Sequence, residues 1–207
     1  MSEIAVLETP RLRLRDWRDE DVERWVDMNA DPRVREFFPS VATREESLEV
    51  VERLRTALQR DGYGWWVIET KAGRDFAGVI ALQPVPFEAA FTPAYEIGWR
   101  LPVDTWGHGY ATEGAAEAMR FAFEHLALPE VIAMTATINL RSRAVMERLG
   151  MAHDPVDDFD HPTFAEGDRL RRHVVYRTTR PPSWHSHAVG SKHERRTAPP
   201  GGTGPAL

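Results

Sequence analysis

A chain of 207 residues, 42% of them hydrophobic, is long enough for one well-packed domain and short for two. Its formal net charge of −6 argues against nucleic acid as a partner; no apolar run approaches the roughly 18 residues that a bilayer span needs, and residues 1–5 lack the basic and apolar regions of a secretory leader, so a cytoplasmic protein with no membrane attachment is expected. The absence of cysteine removes disulfides, thiolate metal sites and any cysteine nucleophile, and no other spacing of residues predicts a metal site.

In chain order the pattern is that of a mixed α/β domain. Leu12 and Leu14 alternate with Arg11, Arg13 and Arg15, as in a strand with one exposed face, and residues 19–28 read as a helix. Thr43 followed by Glu46 has the form of a capping box ahead of Leu48, Val51, Leu54 and Leu58, a second helix ending near Asp61 and Gly62. Residues 64–70 and 76–83 flank the polar turn Lys71, Ala72, Gly73 and Arg74, which makes them an antiparallel hairpin. Pro84, Pro86 and Pro93 mark a loop before a strand at 94–101. Further on, residues 131–137 read as a strand, 139–149 as a helix capped by Gly150, and 172–177 as the last strand, preceded by an acidic loop at 157–162.

Between these elements lies Trp106-Gly107-His108-Gly109-Tyr110-Ala111-Thr112-Glu113, where two glycines and an alanine lead into a helix with an apolar stripe at Ala115, Ala118, Met119, Ala122, Phe123 and Leu126. The first turn of a helix carries backbone N–H groups without intrahelical partners, and small residues there let a phosphate approach those donors and the positive end of the helix dipole. The same residues also serve as a plain turn and cap. The segment is neither a Walker loop nor a dinucleotide fingerprint, because the Lys-Ser/Thr of the first and the third glycine of the second are missing.

Three ordered segments resemble the GCN5-related N-acetyltransferases, in particular the RimJ/RimL-like branch of ribosomal-protein acetyltransferases. Ala94-Tyr95-Glu96-Ile97-Gly98-Trp99-Arg100-Leu101 is similar to the family's central strand; residues 106–111 are similar to its coenzyme A pyrophosphate loop, with Trp106 departing from the usual Gln or Arg; and residues 137–150, with Asn139 and Ser142, are similar to its last strand-to-helix segment. The likeness covers roughly residues 7–178. It implies a central, mostly antiparallel, twisted sheet splayed at an acetyl-CoA site and flanked by helices, in a domain spanning residues 1–180.

By the same resemblance, backbone groups near Trp99, Arg100 and Leu101, the loop residues Trp106, Gly107, His108, Gly109, Tyr110, Ala111 and Thr112, and Asn139, Ser142 and Arg143 are expected to hold acetyl-CoA. The expected reaction is direct transfer of acetyl to a primary amine in a ternary complex, with the alternative of a non-catalytic acyl-CoA-binding sensor. O-acetylation and a longer acyl donor stay open. The apolar residues of 95–101 occupy the odd positions, so Glu96, Gly98 and Arg100 share the opposite face. Glu96 is the candidate general base, acting through water, or else a salt-bridged strand residue. Ser142 is the candidate general acid, or else a first-turn serine satisfying backbone.

The acceptor is read as a protein N-terminus or a small cationic amine. The segment from Pro181 carries Lys192, Arg195 and Arg196 against Glu194, which leaves −8 on the remainder of the chain, a balance that suits a cation. Asp157, Asp158 and Asp160 are candidates for attracting it, and Phe37, Phe38 and one of Trp65 and Trp66, taken as Trp66, for walling its slot. Residues 181–207, with five prolines and four glycines, read as a disordered tail. Monomer and homodimer are both compatible with the sequence.

Overall fold

The computed structural model describes residues 2–179, so the expectation of a disordered tail lies outside the described residues. The strands are β1 (Leu7–Glu8), β2 (Leu12–Arg15), β3 (Trp65–Thr70), β4 (Phe76–Pro84), β5 (Tyr95–Arg100), β6 (Glu130–Ala136), β7 (Ala152–His153), β8 (Phe159–Asp160) and β9 (Arg172–Thr179). They form one mixed sheet in the order β1-β2-β3-β4-β5-β6-β9-β7, with β8 also on β9. Every pairing is antiparallel except β5 with β6.

Among the described residues, the α-helices that cover the sheet are α1 (Asp19–Ala30), α2 (Arg44–Asp61), α3 (Tyr110–Glu124) and α4 (Leu140–Arg148). The capping box of α2 forms as the sequence predicts, with Glu46 N–H donating to Thr43 Oγ1 at 3.1 Å and Thr43 N–H to Glu46 Oε2 at 2.8 Å. Gly62 ends that helix in the left-handed region, φ +80°. Thr43→Ala is expected to lower the unfolding free energy from urea titration by about 1 kcal/mol, because the first-turn N–H of Glu46 loses its side-chain acceptor.

The α3 stripe buries Ala115, Ala118, Met119, Ala122 and Phe123. At Gly114 a β-carbon would come within 3.1 Å of Ile80 Cγ1 and 3.7 Å of Leu14 Cδ1, so the helix lies directly on β2 and β4. Trp66 points to this same face and packs edge-on against Phe121 at 5.7 Å. The opposite face belongs to α1, where Trp25 meets Trp65 edge-on at 6.4 Å.

Arg15 departs from the exposed stripe expected of β2. It is 5% exposed and bonds Asp21 of α1 at 2.7 and 2.9 Å and Glu69 of β3 at 2.7 Å. A guanidinium removed from water needs such carboxylates, and here both flank it.

Candidate active site

Parallel strands β5 and β6 share one register pair, Glu96 with Ile132, whereas β4 follows β5 through six pairs from Val79↔Arg100 to Pro84↔Tyr95. Beyond Glu96 the two parallel strands therefore diverge. A cleft of about 790 Å³ opens in the gap, lined along its edges by Gly98, Trp99, Arg100 and Leu101 on one side and Met134 and Thr135 on the other. Side chains from both faces of the sheet line it, so it passes through the sheet.

One wall is the loop into α3. Trp106, Gly107, Gly109, Tyr110, Ala111 and Thr112 all line the cleft. Gly107 and Gly109 both have φ +79°, which L side chains rarely adopt, and the space where a Gly107 β-carbon would point is empty to 4 Å. Gly109 is the N-cap of α3 and has no side chain to satisfy the first-turn donors. The loop is tied from behind by Glu113, which accepts from Thr9 Oγ1 at 2.6 Å, Arg11 N–H at 3.0 Å and Arg11 Nε at 2.6 Å. Burial raises the Glu113 carboxyl, but these bonds outweigh it and hold it below the usual range. His108 is turned away from the cleft; its carbonyl accepts from Arg11 Nη1 at 2.9 Å and its ring stacks on Tyr110 at 5.3 Å. It lies between the two left-handed glycines and is not among the residues that line the cleft beside Tyr110.

The second wall is the start of α4. Asn139 is the helix cap and a cleft residue at once: Oδ1 accepts Ser142 N–H at 3.2 Å while Nδ2 donates to Thr135 Oγ1 at 2.9 Å. Ser142 lines the cleft, and its hydroxyl makes no hydrogen bond among the described residues. The side chain of Arg143, a residue expected to hold acetyl-CoA, is bonded away from the cleft. One position further round the helix, it faces β9, with Nη1 donating to the Thr137 carbonyl at 3.0 Å and Nε to Tyr176 Oη at 3.3 Å. Leu140, Arg141, Ala144, Val145 and Arg148 line the cleft instead.

On the α1 face the cleft widens into a chamber. Glu96 is 3% exposed, and burial pushes its carboxyl up to about 8, opposed by the Gln83 side chain across the β4–β5 pair. Arg100, 7% exposed, is pushed down to about 9 by burial and then by the charge of Arg35. Phe37 and Phe38 line the chamber. Trp66 does not. It is fully buried on the α3 face and donates Nε1–H to the Ala5 carbonyl at 2.8 Å. Strand alternation puts Trp65, not Trp66, on the face of Glu96 and Arg100, and Trp65 donates to Gln83 Oε1 at 2.7 Å.

The acidic loop is occupied elsewhere: Asp157 pairs with Arg177 at 2.6 Å, Asp158 with His153 at 2.7 Å, and Asp160 with Arg171 and Arg172 at 3.2 and 3.4 Å. The chamber instead receives Arg33, Phe87, His161 and His173, which the sequence reading did not select. The two histidine rings lie 4.7 Å apart, and burial followed by His173 lowers His161 to about 4, so His161 is neutral at physiological pH. The signal for His161 lay in Asp160-His161-Pro162, which drew notice for its acidity alone. Arg33, Arg100, Arg141 and Arg148 surround the cleft against the single carboxyl of Glu96, so the acidity of the chain is not carried into it.

A family model described as an acetyltransferase (GNAT) domain matches residues 11–152. Among curated proteins, an FsC-acetyl coenzyme A-N(2)-transacetylase of Aspergillus fumigatus is 39% identical over 154 residues, 71% of this chain and 65% of that relative's length. Among solved structures, an acetyltransferase from Agrobacterium tumefaciens superposes with a TM-score of 0.68 at 27% identity, covering 87% of this chain and 97% of the other. RimL, a ribosomal L7/L12 alpha-N-protein acetyltransferase in complex with coenzyme A, shares the fold at a TM-score of 0.67 and 18% identity, covering 84% and 98%. The splayed sheet, the glycine loop at the start of α3 and a family match over residues 11–152 agree, and the chain belongs to the GNAT acetyltransferase-domain family.

Proposed function

We propose that the protein transfers acetyl from acetyl-CoA to a primary amine by direct attack in a ternary complex. The observation that carries this reading is the gap beyond Glu96↔Ile132, which joins a cradle for an anion on one face to an aromatic chamber on the other. The chain fits the cosubstrate: the two left-handed glycines and the uncapped start of α3 leave backbone donors free for a pyrophosphate, and the open edges of β5 and β6 offer backbone groups at Trp99 and Leu101 to a pantetheine arm. When bound, acetyl-CoA supplies an acyl group activated as a thioester.

The residues then divide the proton work. As the C–N bond forms and the C–S bond breaks, one proton leaves the amine and one must reach the departing thiolate. Glu96 takes the amine's proton, directly or through water, and its burial tunes it to do so near neutrality. Ser142 Oγ, without a hydrogen-bond partner among the described residues, donates toward the sulfur. Asn139 positions Ser142 through its backbone N–H. Ser142→Ala is expected to lower kcat by about tenfold to a hundredfold with little change in coenzyme affinity. Equal turnover of wild type and variant in a steady-state assay removes Ser142 from the proton path.

The test of the whole reading is release of coenzyme thiol across polyamines, aminoglycosides, amino acids and peptides with different N-termini. The absence of cysteine gives a low background in that assay. Turnover on one class supports the enzyme. Tight acetyl-CoA binding without turnover on any favours a sensor.

A further inference from the structure

Glu96, Gly98 and Arg100 share the face of β5 that looks toward α1. Gly98 has no side chain, and at roughly 3.3 Å per residue the Cα atoms of its two neighbours on that face stand about 7 Å away on either side. A group resting over Gly98 therefore has a carboxyl on one flank and a guanidinium on the other.

That guanidinium is short of partners. Arg100 Nη1 donates to Asn29 Oδ1 at 2.6 Å; among the described residues Nε is buried with no hydrogen-bond partner and no carboxylate pairs with the guanidinium. Three rings also lie against it, Phe38 at 4.4 Å, Trp25 at 5.3 Å and Trp65 at 5.9 Å. Arg35, over the same Phe38 ring at 4.3 Å, adds a second positive charge. The contrast is Arg15, equally buried and bracketed by Asp21 and Glu69. Glu36 is engaged with Arg141, and Glu46 with the cap of α2, so neither serves Arg100. An unpaired cation taken out of water is costly unless an anion arrives with the ligand.

We propose that Arg100 anchors a carboxylate on the acceptor, so that the substrates of this protein are amines that also carry a carboxylate. The amine half of this statement rests on the acetyl-transfer reading. The carboxylate half rests on Arg100, Asn29 and Phe38. The acceptor lies along β5 with its amine over Gly98, between Glu96 and the anchor. Overall acidity of the chain pointed to a purely cationic acceptor, whereas the wall of the chamber selects one that is cationic at one end and anionic at the other.

The experiment is calorimetric titration of the full chain with N-acetylglycine, N-acetyl-β-alanine and N-acetyl-4-aminobutyrate, each beside its uncharged primary amide. The expected result is at least a tenfold preference for the acid at one chain length, lost in Arg100→Met and partly kept in Arg100→Lys. Equal binding of acids and amides by wild type, including no binding of either, overturns the anchor without reference to any variant. A parallel thiol-release assay compares the free amino acids with their amides, for which KM should fall at least tenfold with the acid while kcat changes little. Turnover with equal KM values overturns the anchor and leaves acetyl transfer standing; acid-selective binding with no thiol release on any amine overturns acetyl transfer and leaves the anchor standing.

Discussion

Glu96→Gln is expected to lower kcat/KM by about 10²- to 10⁴-fold, the usual contribution of a positioned general base. The wild-type rate should rise with pH through an apparent value about 8, where the buried carboxyl ionises, and the variant should lack that limb. The same substitution has a second signature independent of turnover. The carboxyl titrates near 4.5 when exposed in the unfolded chain and about 8 when folded, so its contribution is fully present below 4.5 and is lost as pH rises through the window to 8. Wild type should therefore lose about 2 kcal/mol relative to the Gln variant between pH 6 and pH 8, and the difference should level off above that. Urea midpoints at four pH values measure it. A constant difference would mean that Glu96 is ionised throughout, and an unchanged rate would remove it as the base.

Gly109→Glu is expected to weaken coenzyme A binding by more than a hundredfold. Two effects combine. A β-carbon at φ +79° strains the backbone by roughly 1–2 kcal/mol. The added carboxylate also stands at the positive end of α3, competing with a phosphate for the same donors. Arg11 Nη2, 3.5 Å from where the β-carbon would be, is already held by Glu113 and does not neutralise the newcomer. Gly109→Ala separates the two effects, since it carries the strain without the charge and should retain binding within about tenfold. Undiminished binding by the Glu variant in a calorimeter refutes the placement of the pyrophosphate on this loop.

Much of the architecture was legible because local rules and tertiary packing agree. Thr43, Glu46 and Gly62 mark both ends of α2 by hydrogen bonds that involve only near neighbours. The stripe of α3 and the hairpin of β3 and β4 follow from side-chain period alone. What stayed hidden depends on contacts distant in sequence. Arg15 looked like an exposed strand residue because its partners, Asp21 and Glu69, come from two other elements. Alternation correctly separated Trp65 from Trp66 but did not say which face α3 would take, and the choice of Trp66 inverted it. His161 follows β8, a bridge of two residues on β9 with no periodic signal, and His173 is carried by β9 where it pairs with Ala136 of β6. Arg143 and His108 were carried along with their neighbours in a motif, although a helix or a reversed loop sends adjacent side chains in different directions.

Glu96 sits at the one register pair that ties β1–β5 to β6 and its neighbours. The passage beside it is a doorway with two thresholds, one under the α3 loop and one under α1. Under the proposed chemistry the two reactants enter by different thresholds and meet at the sill. Neither has to leave for the other to arrive, which is what transfer within a ternary complex requires.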